Sequence, residues 1–258
     1  MELSELRTLQ FVAPSGHTFT IREQNGEDEE ILSNPIEMRT LLHLSRFISA
    51  IVVDTDATTN HKLSMKDALN LPLLDRYCIL FKSRIFSLGE IIEFNYEWTK
   101  PNGTKNSVLY EEDLNNFLFE NYGEVPSDDE MDSKPDAIPL YPDPAIVEGK
   151  EFTLDSGKKI RFKAATSNSE QYIFNLPENK RTRNSELVAR DLMLEVEGKF
   201  EKVTNFRIFS VRDMNEIHKL VKIWDPAFLG LTEITNPDTN ETEMYPIIGA
   251  PSFFFLME

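Results

Sequence analysis

Ser15-Gly16-His17-Thr18-Phe19-Thr20-Ile21-Arg22 and Ser156-Gly157-Lys158-Lys159-Ile160-Arg161-Phe162-Lys163 are two versions of one local design. Each opens with a Ser-Gly pair, which suits a tight turn, and continues into alternating apolar and polar residues, which suits a half-buried strand. The residues before each pair, Leu9 to Val12 and Glu151 to Leu154, supply the other strand of a hairpin. Glu29 and Glu170 stand at the same offset beyond the two turns, and each stretch runs on into a helical pattern.

Working outward, Ser33-Asn34-Pro35 is a helix start with proline in the first turn. Met38, Leu41, Leu42, Phe47, Ile48, Ile51 and Val52 follow at helical spacing. A second helix is predicted from Pro72 to Phe86, with Leu74, Tyr77, Cys78, Phe81 and Ile85 on its buried stripe. In the other half, helices are predicted from Asn184 to Val196 and from Ser210 to Trp224. Ser210 and Asp213 form a capping-box pair at the start of the latter. Met214, Ile217, Leu220, Val221 and Trp224 make its stripe. A glycine, Gly89 or Gly230, then precedes a hairpin in each half: Ile91 to Thr99 with Thr104 to Tyr110, and Leu231 to Thr235 with Glu241 to Ile247. Phe94, Tyr96 and Trp98 alternate on one face of the first.

Between the halves lies a stretch rich in aspartate and proline, from about Gly123 to Pro144. Acidic repulsion and missing backbone donors disfavour a helix or central strand there. The expected organisation is α+β, with two small related lobes at 1–123 and 147–258 and an exposed acidic linker at 124–146. Each lobe is a Ser-Gly hairpin, helices and a final hairpin that is zinc-knuckle-like but without metal ligands.

Composition narrows the function. The 258 residues carry a formal charge of −17, with 40% hydrophobic residues. Such a surface repels phosphate, which argues against nucleic acid and anionic membranes and suits basic protein partners. No apolar run approaches the ~20 residues of a membrane span, and the first residues do not read as a secretory signal. A single cysteine excludes an internal disulfide.

Chemistry-bearing patterns are sparse. His17, His43, His61 and His218 form no pair at metal-ligand spacing, and a zinc site needs about four clustered ligands. Cys78 reads as a buried small side chain in a helix. Glu27-Asp28-Glu29-Glu30 precedes a helix, where carboxylates suit the positive end of the dipole. Neither it nor Asp54-Thr55-Asp56 has the spacing of a calcium loop. Phosphate-binding and dinucleotide fingerprints are absent. With 44 acidic residues, some close carboxylate pair is expected by chance, so a carboxylate-based hydrolase is a third-ranked reading. Lys180-Arg181-Thr182-Arg183 reads as a solvated loop. At the C-terminus, Phe253-Phe254-Phe255 cannot all point inward from one strand. They mark either a protein contact or a strand buried on both faces.

The N-terminal lobe resembles the baseplate hub and hub-assembly family of T4-type contractile phage tails. The resemblance rests on Ala13-Pro14-Ser15-Gly16, Ile21-Arg22-Glu23, Glu27 to Leu32, Leu71 to Arg76, and Arg84 with Ser87-Leu88-Gly89. In the C-terminal lobe it rests on Ser210 to Leu220, Gly230, the hairpin and the terminal aromatic run. The resemblance implies cysteine pairs at the hairpin tips of many members. Here the tips, Trp98 to Gly103 and Thr235 to Asn240, have none, so the turns and cross-strand pairs must hold them. The resemblance implies a non-enzymatic structural or assembly component of the baseplate hub region, with no cofactor, assembled in the host cytoplasm. Its partners would be tube, tape-measure, hub or wedge proteins, with room for several copies in a larger assembly. The alternative is a transient assembly chaperone absent from the mature particle. Tyr96, Trp98, Phe253, Phe254 and Phe255 are the expected contact residues, because large aromatics dominate interface energetics.

Overall fold

The structure, a computed structural model, describes residues 7–100, 102–119 and 136–255. Both Ser-Gly pairs form the expected turns. β1 (Thr8–Val12) pairs antiparallel with β2 (Thr18–Arg22), and β6 (Lys150–Thr153) with β7 (Lys159–Phe162). The first turn is closed by Ala13 N–H to His17 O and Gly16 N–H to Ala13 O, both 2.8 Å. In the second, Leu154 N–H reaches Lys158 O at 2.8 Å and Gly157 N–H reaches Leu154 O at 2.7 Å. The φ angles are +86° at Gly16 and +81° at Gly157, a region that L side chains adopt only at a cost. A Cβ at either position would meet nothing within 4 Å, so the backbone and not space asks for glycine.

In the first half, α1 (Gly26–Leu32), α2 (Pro35–Met38) and α3 (Leu42–Ile51) follow the hairpin, and β3 (Val52–Thr55) returns antiparallel to β2. Next come α4 (Met65–Asn70), α5 (Leu73–Leu88), Gly89, and the hairpin of β4 (Ile91–Thr99) and β5 (Lys105–Asp113). In the second half, α6 (Ser167–Asn175) and α7 (Arg183–Ala189) lead to β8 (Met193–Val196), which returns antiparallel to β7 and is extended by β9 (Lys199–Lys202). There follow α8 (Val211–Trp224), Gly230, and the hairpin of β10 (Leu231–Thr235) and β11 (Thr242–Pro246). The fold is mixed α+β, with eight helices and four small antiparallel sheets among the described residues. Gly26 and Ser167, Leu42 and Arg183, Val52 and Met193, and Gly89 and Gly230 each stand 141 positions apart (167 − 26, 183 − 42, 193 − 52 and 230 − 89). α5 and α8 start 138 apart (211 − 73).

Several expectations are corrected. The helix from Asn184 to Val196 stops at Ala189. Asp191 takes φ +51°, and the next residues bond to the open edge of β7. Cross-strand pairing overrides a helical pattern of this length. The helix from Pro35 is broken at Leu41, at φ +59°. The terminal aromatic run is no strand: Ile247–Gly249 and Pro251–Phe253 are 3-10 turns. Residues 124–135 of the expected linker lie outside the described residues. Its described end is only partly exposed: Asp136, Pro142 and Pro144 are exposed, but Ala137, Ile138, Tyr141 and Ile146 are buried, and Ile138 N–H donates to Phe117 O at 2.8 Å.

α5 forms the centre. Instead of one apolar stripe it buries Leu74, Cys78, Ile79, Leu80 and Phe81 together with Asp75, Arg76, Ser83 and Arg84, as a helix covered on most sides must. The Phe81 ring lies 5.4 Å from Phe117, 5.6 Å from Phe228 and 5.1 Å from Phe253. Side chains from both halves therefore meet in one core.

Candidate partner-binding surfaces

The alternation in β4 directs Phe94, Tyr96 and Trp98 to one face, and that face is covered by the chain's own second hairpin. Phe94 stacks on Tyr245 with ring centres 4.8 Å apart. Trp98 Nε1–H donates to Asp238 at 2.6 Å. Tyr110 Oη–H donates to Thr235 O at 2.5 Å, and Thr232 Oγ1–H donates to Glu112 at 2.5 Å. Tyr96 is buried and Trp98 half-buried. Phe253 is fully buried against Phe81, Phe254 meets Phe47 edge-on at 6.1 Å, and Phe255 is half-buried. The five residues expected at a partner surface thus fall into two clusters, in which Tyr96 and Phe253 are buried while Trp98, Phe254 and Phe255 keep part of their surface.

The seam between the halves starts where α4 hands over to α5. Leu73 N–H donates to Ala165 O at 2.9 Å, Ser167 N–H to Leu71 O at 3.3 Å, and Asn168 to Asn70 at 2.8 Å. Arg76, itself buried, pairs with Glu170. On the far side, Asp225 accepts from Ala165 N–H at 3.0 Å and from Arg190 Nε at 2.7 Å. An open cleft of about 350 Å³ runs along this seam, lined by Leu41, Leu73, Ile173 and Phe174 with Glu170 and Arg181. Arg181 spends its hydrogen bonds on the carbonyls of Phe174 and Leu176.

Two acids tie helix starts to the Ser-Gly turns. Asp75, third residue of α5, accepts from Ser15 N–H at 2.9 Å and Ser15 Oγ–H at 2.5 Å. Burial pushes its carboxyl up to about 6, against the opposing pull of the Ser15 bonds. Asp213, third residue of α8, accepts from Lys158 Nζ at 2.8 Å and Ser210 N–H at 2.9 Å. Lys158, then Ser156 and Ser210, hold its carboxyl well below the usual range. Both acids are consumed in joining elements. His17 pairs with Asp56 and His61 with Asp54 at the surface. His43 is buried on α3, and that burial lowers its pKa. Among the described residues, no group of three or more His, Cys, Asp or Glu is placed to hold a metal ion, and no helix is long and apolar enough to cross a membrane.

The exposed apolar residues that sequence reasoning missed lie elsewhere. Val211 is 80% exposed at the first position of α8, beside exposed Ile208, Arg207 and Arg212. Ile36 on α2 and Leu229 before Gly230 are similarly open. A signal existed for Val211: it stands off the stripe of Met214, Ile217, Leu220, Val221 and Trp224, so the core has no use for it. No family model, no curated protein and no solved structure matches the chain.

Proposed function

We propose that the chain is a structural or assembly component of a contractile phage tail baseplate, built from two related lobes and acting through protein–protein contacts. The two halves descend from one module: each is a Ser-Gly hairpin, helices, a third strand returning to the hairpin, a long helix, a glycine and a final hairpin. The observation that carries this reading is the use made of the polar groups. Asp75 with Ser15, and Asp213 with Ser156 and Lys158, join equivalent helices to equivalent turns. The converging carboxylates brace the scaffold instead of opening onto a cleft. Large apolar side chains remain at its margin, and such residues suit contact with other chains. The resemblance of the two lobes to the baseplate hub family is what supports the choice of assembly.

The test is co-expression with tube, tape-measure, hub and wedge proteins of a contractile tail, followed by size-exclusion chromatography. A stable complex with one of them is expected. A chain that elutes without partners in every combination overturns the reading. Mass spectrometry of purified particles then separates a resident part, present in fixed ratio, from a chaperone that leaves before maturation.

A further inference from the structure

The contact between the two halves is one-sided. The start of α5, in the first half, docks on Ala165, Ser167 and Glu170, at the start of α6 in the second. At the 141-residue spacing Glu170 corresponds to Glu29 on α1, and at the 138-residue spacing of the long helices Leu73 corresponds to Val211. These counterparts do not meet. Glu29 is exposed, with Glu27 and Glu30 beside it, and Val211 is 80% exposed. Each half therefore leaves open the surface that its counterpart uses.

The two open surfaces are complementary. Around Val211 stand Ile208, 45% exposed, and the exposed Arg207 and Arg212, whose guanidiniums pair with no described residue. On the outward flank of α1, Glu27, Glu29 and Glu30 make no ion pair with a described residue. Met214 stands where Arg76 stands in the first half, so the Arg76–Glu170 pair cannot be copied directly. Arg207 and Arg212 place cations on the exposed flank beside Val211 instead, Arg212 on a different side of α8 from Met214. In a chain of charge −17, this local basic and apolar patch is what overcomes repulsion between copies.

We propose that a second copy of this chain docks head to tail, with Arg207, Ile208, Val211 and Arg212 of one molecule against the α1 flank of the next. The inference rests on reading the halves as copies of one module. Because the two surfaces differ, each added copy leaves one of each open, and association either closes into a ring or continues.

Sedimentation velocity of the full chain over a wide concentration range tests this. Concentration-dependent self-association is expected. Val211→Asp and Arg212→Glu should each weaken it about tenfold or more, as loss of an interface anchor does. Combining Arg212→Glu with Glu29→Arg should recover most of the loss, whereas Glu29→Arg by itself should not strengthen association. Thermal melts of Val211→Asp and Arg212→Glu should not fall below the parent, since both side chains are exposed and acids suit a helix start, whereas Glu29→Arg should bring only the small loss of a cation in the first turn of α1. A chain that stays monomeric at every concentration, or an association indifferent to these substitutions, overturns the proposal. A monomer that still binds a tail protein defeats self-docking and leaves the baseplate reading standing. Self-association without binding to any tail protein does the reverse.

Discussion

Asp75 and Asp213 hold equivalent places with opposite electrostatics. Asp75 makes no ion pair with a described residue, and the pull of Ser15 and His17 does not offset its burial, so its folded value is raised to about 6 from an ordinary value near 3.8. Between those values the folded state binds the extra proton, and stability falls as pH rises from about 4 to about 6. The shift of roughly two units corresponds to about 3 kcal/mol. Asp75→Asn keeps the size and removes the titration. Urea unfolding of the two proteins at pH 4 and pH 7 should show the parent losing about that much relative to the variant. An unchanged difference at the two pH values would remove the buried charge from the account. Asp213 has Lys158 and carries the opposite sign. Its folded value is depressed, so its contribution is present above the unfolded value near 3.8 and is lost as pH falls below it. Asp213→Asn should therefore be less stable than the parent at neutral pH, with the gap closing toward pH 3. Urea unfolding of the parent and Asp213→Asn at pH 7 and at pH 3 measures it.

At the level of elements, the turns are the parts most fully written in the sequence. A Ser-Gly pair between alternating residues has few conformations open to it, and both hairpins form with the expected strands. The positive φ at Gly16 and Gly157 makes a further prediction. Gly16→Ala and Gly157→Ala should each cost about 1 kcal/mol, because alanine fits the space but not the backbone. Similar losses in thermal melts would support equivalent turns, and a negligible loss at one would count against it. α5 and α8 were legible for a related reason: long periodic segments leave little choice, and α8 is also capped by Ser210 through Asp213, whereas α5 starts after Pro72 without a side-chain cap. β8 was not legible. Leu192 to Val196 can satisfy a helical period, and what decides is the open edge of β7 more than thirty positions away in the chain. The partner-binding reading of Tyr96 and Trp98 failed to foresee their cover for the same reason. Alternation announces that one face of β4 is covered, but the cover, from Thr232 to Tyr245, lies 120 positions or more along the chain. No local pattern carries that distance.

At the scale of the molecule, the two halves share one core. Phe81 of α5 is enclosed by Phe117 from its own half and by Phe228 and Phe253 from the other. The seam adds the Arg76–Glu170 pair and the backbone bonds at Leu73 and Ser167. Separating the halves would open all of these together, exposing Phe81 and leaving Arg76 buried without its anion. Unfolding one half therefore withdraws the support of the other, and a single cooperative transition follows, observed equally by far-ultraviolet dichroism and by tryptophan fluorescence. Trp98 and Trp224 lie in different halves, Trp98 under the second hairpin through Asp238, and variants that keep one tryptophan each read the two signals apart. Phe253→Ala tests the coupling at its most distant point. It empties a fully buried site near the end of the chain and should cost about 3–5 kcal/mol. If the core is shared, the whole transition moves to lower denaturant with both tryptophans in step. If only the signal of Trp224 moves, or if the parent itself unfolds in two separate steps, the halves are independent bodies and the packing around Phe81 does not bind them into one.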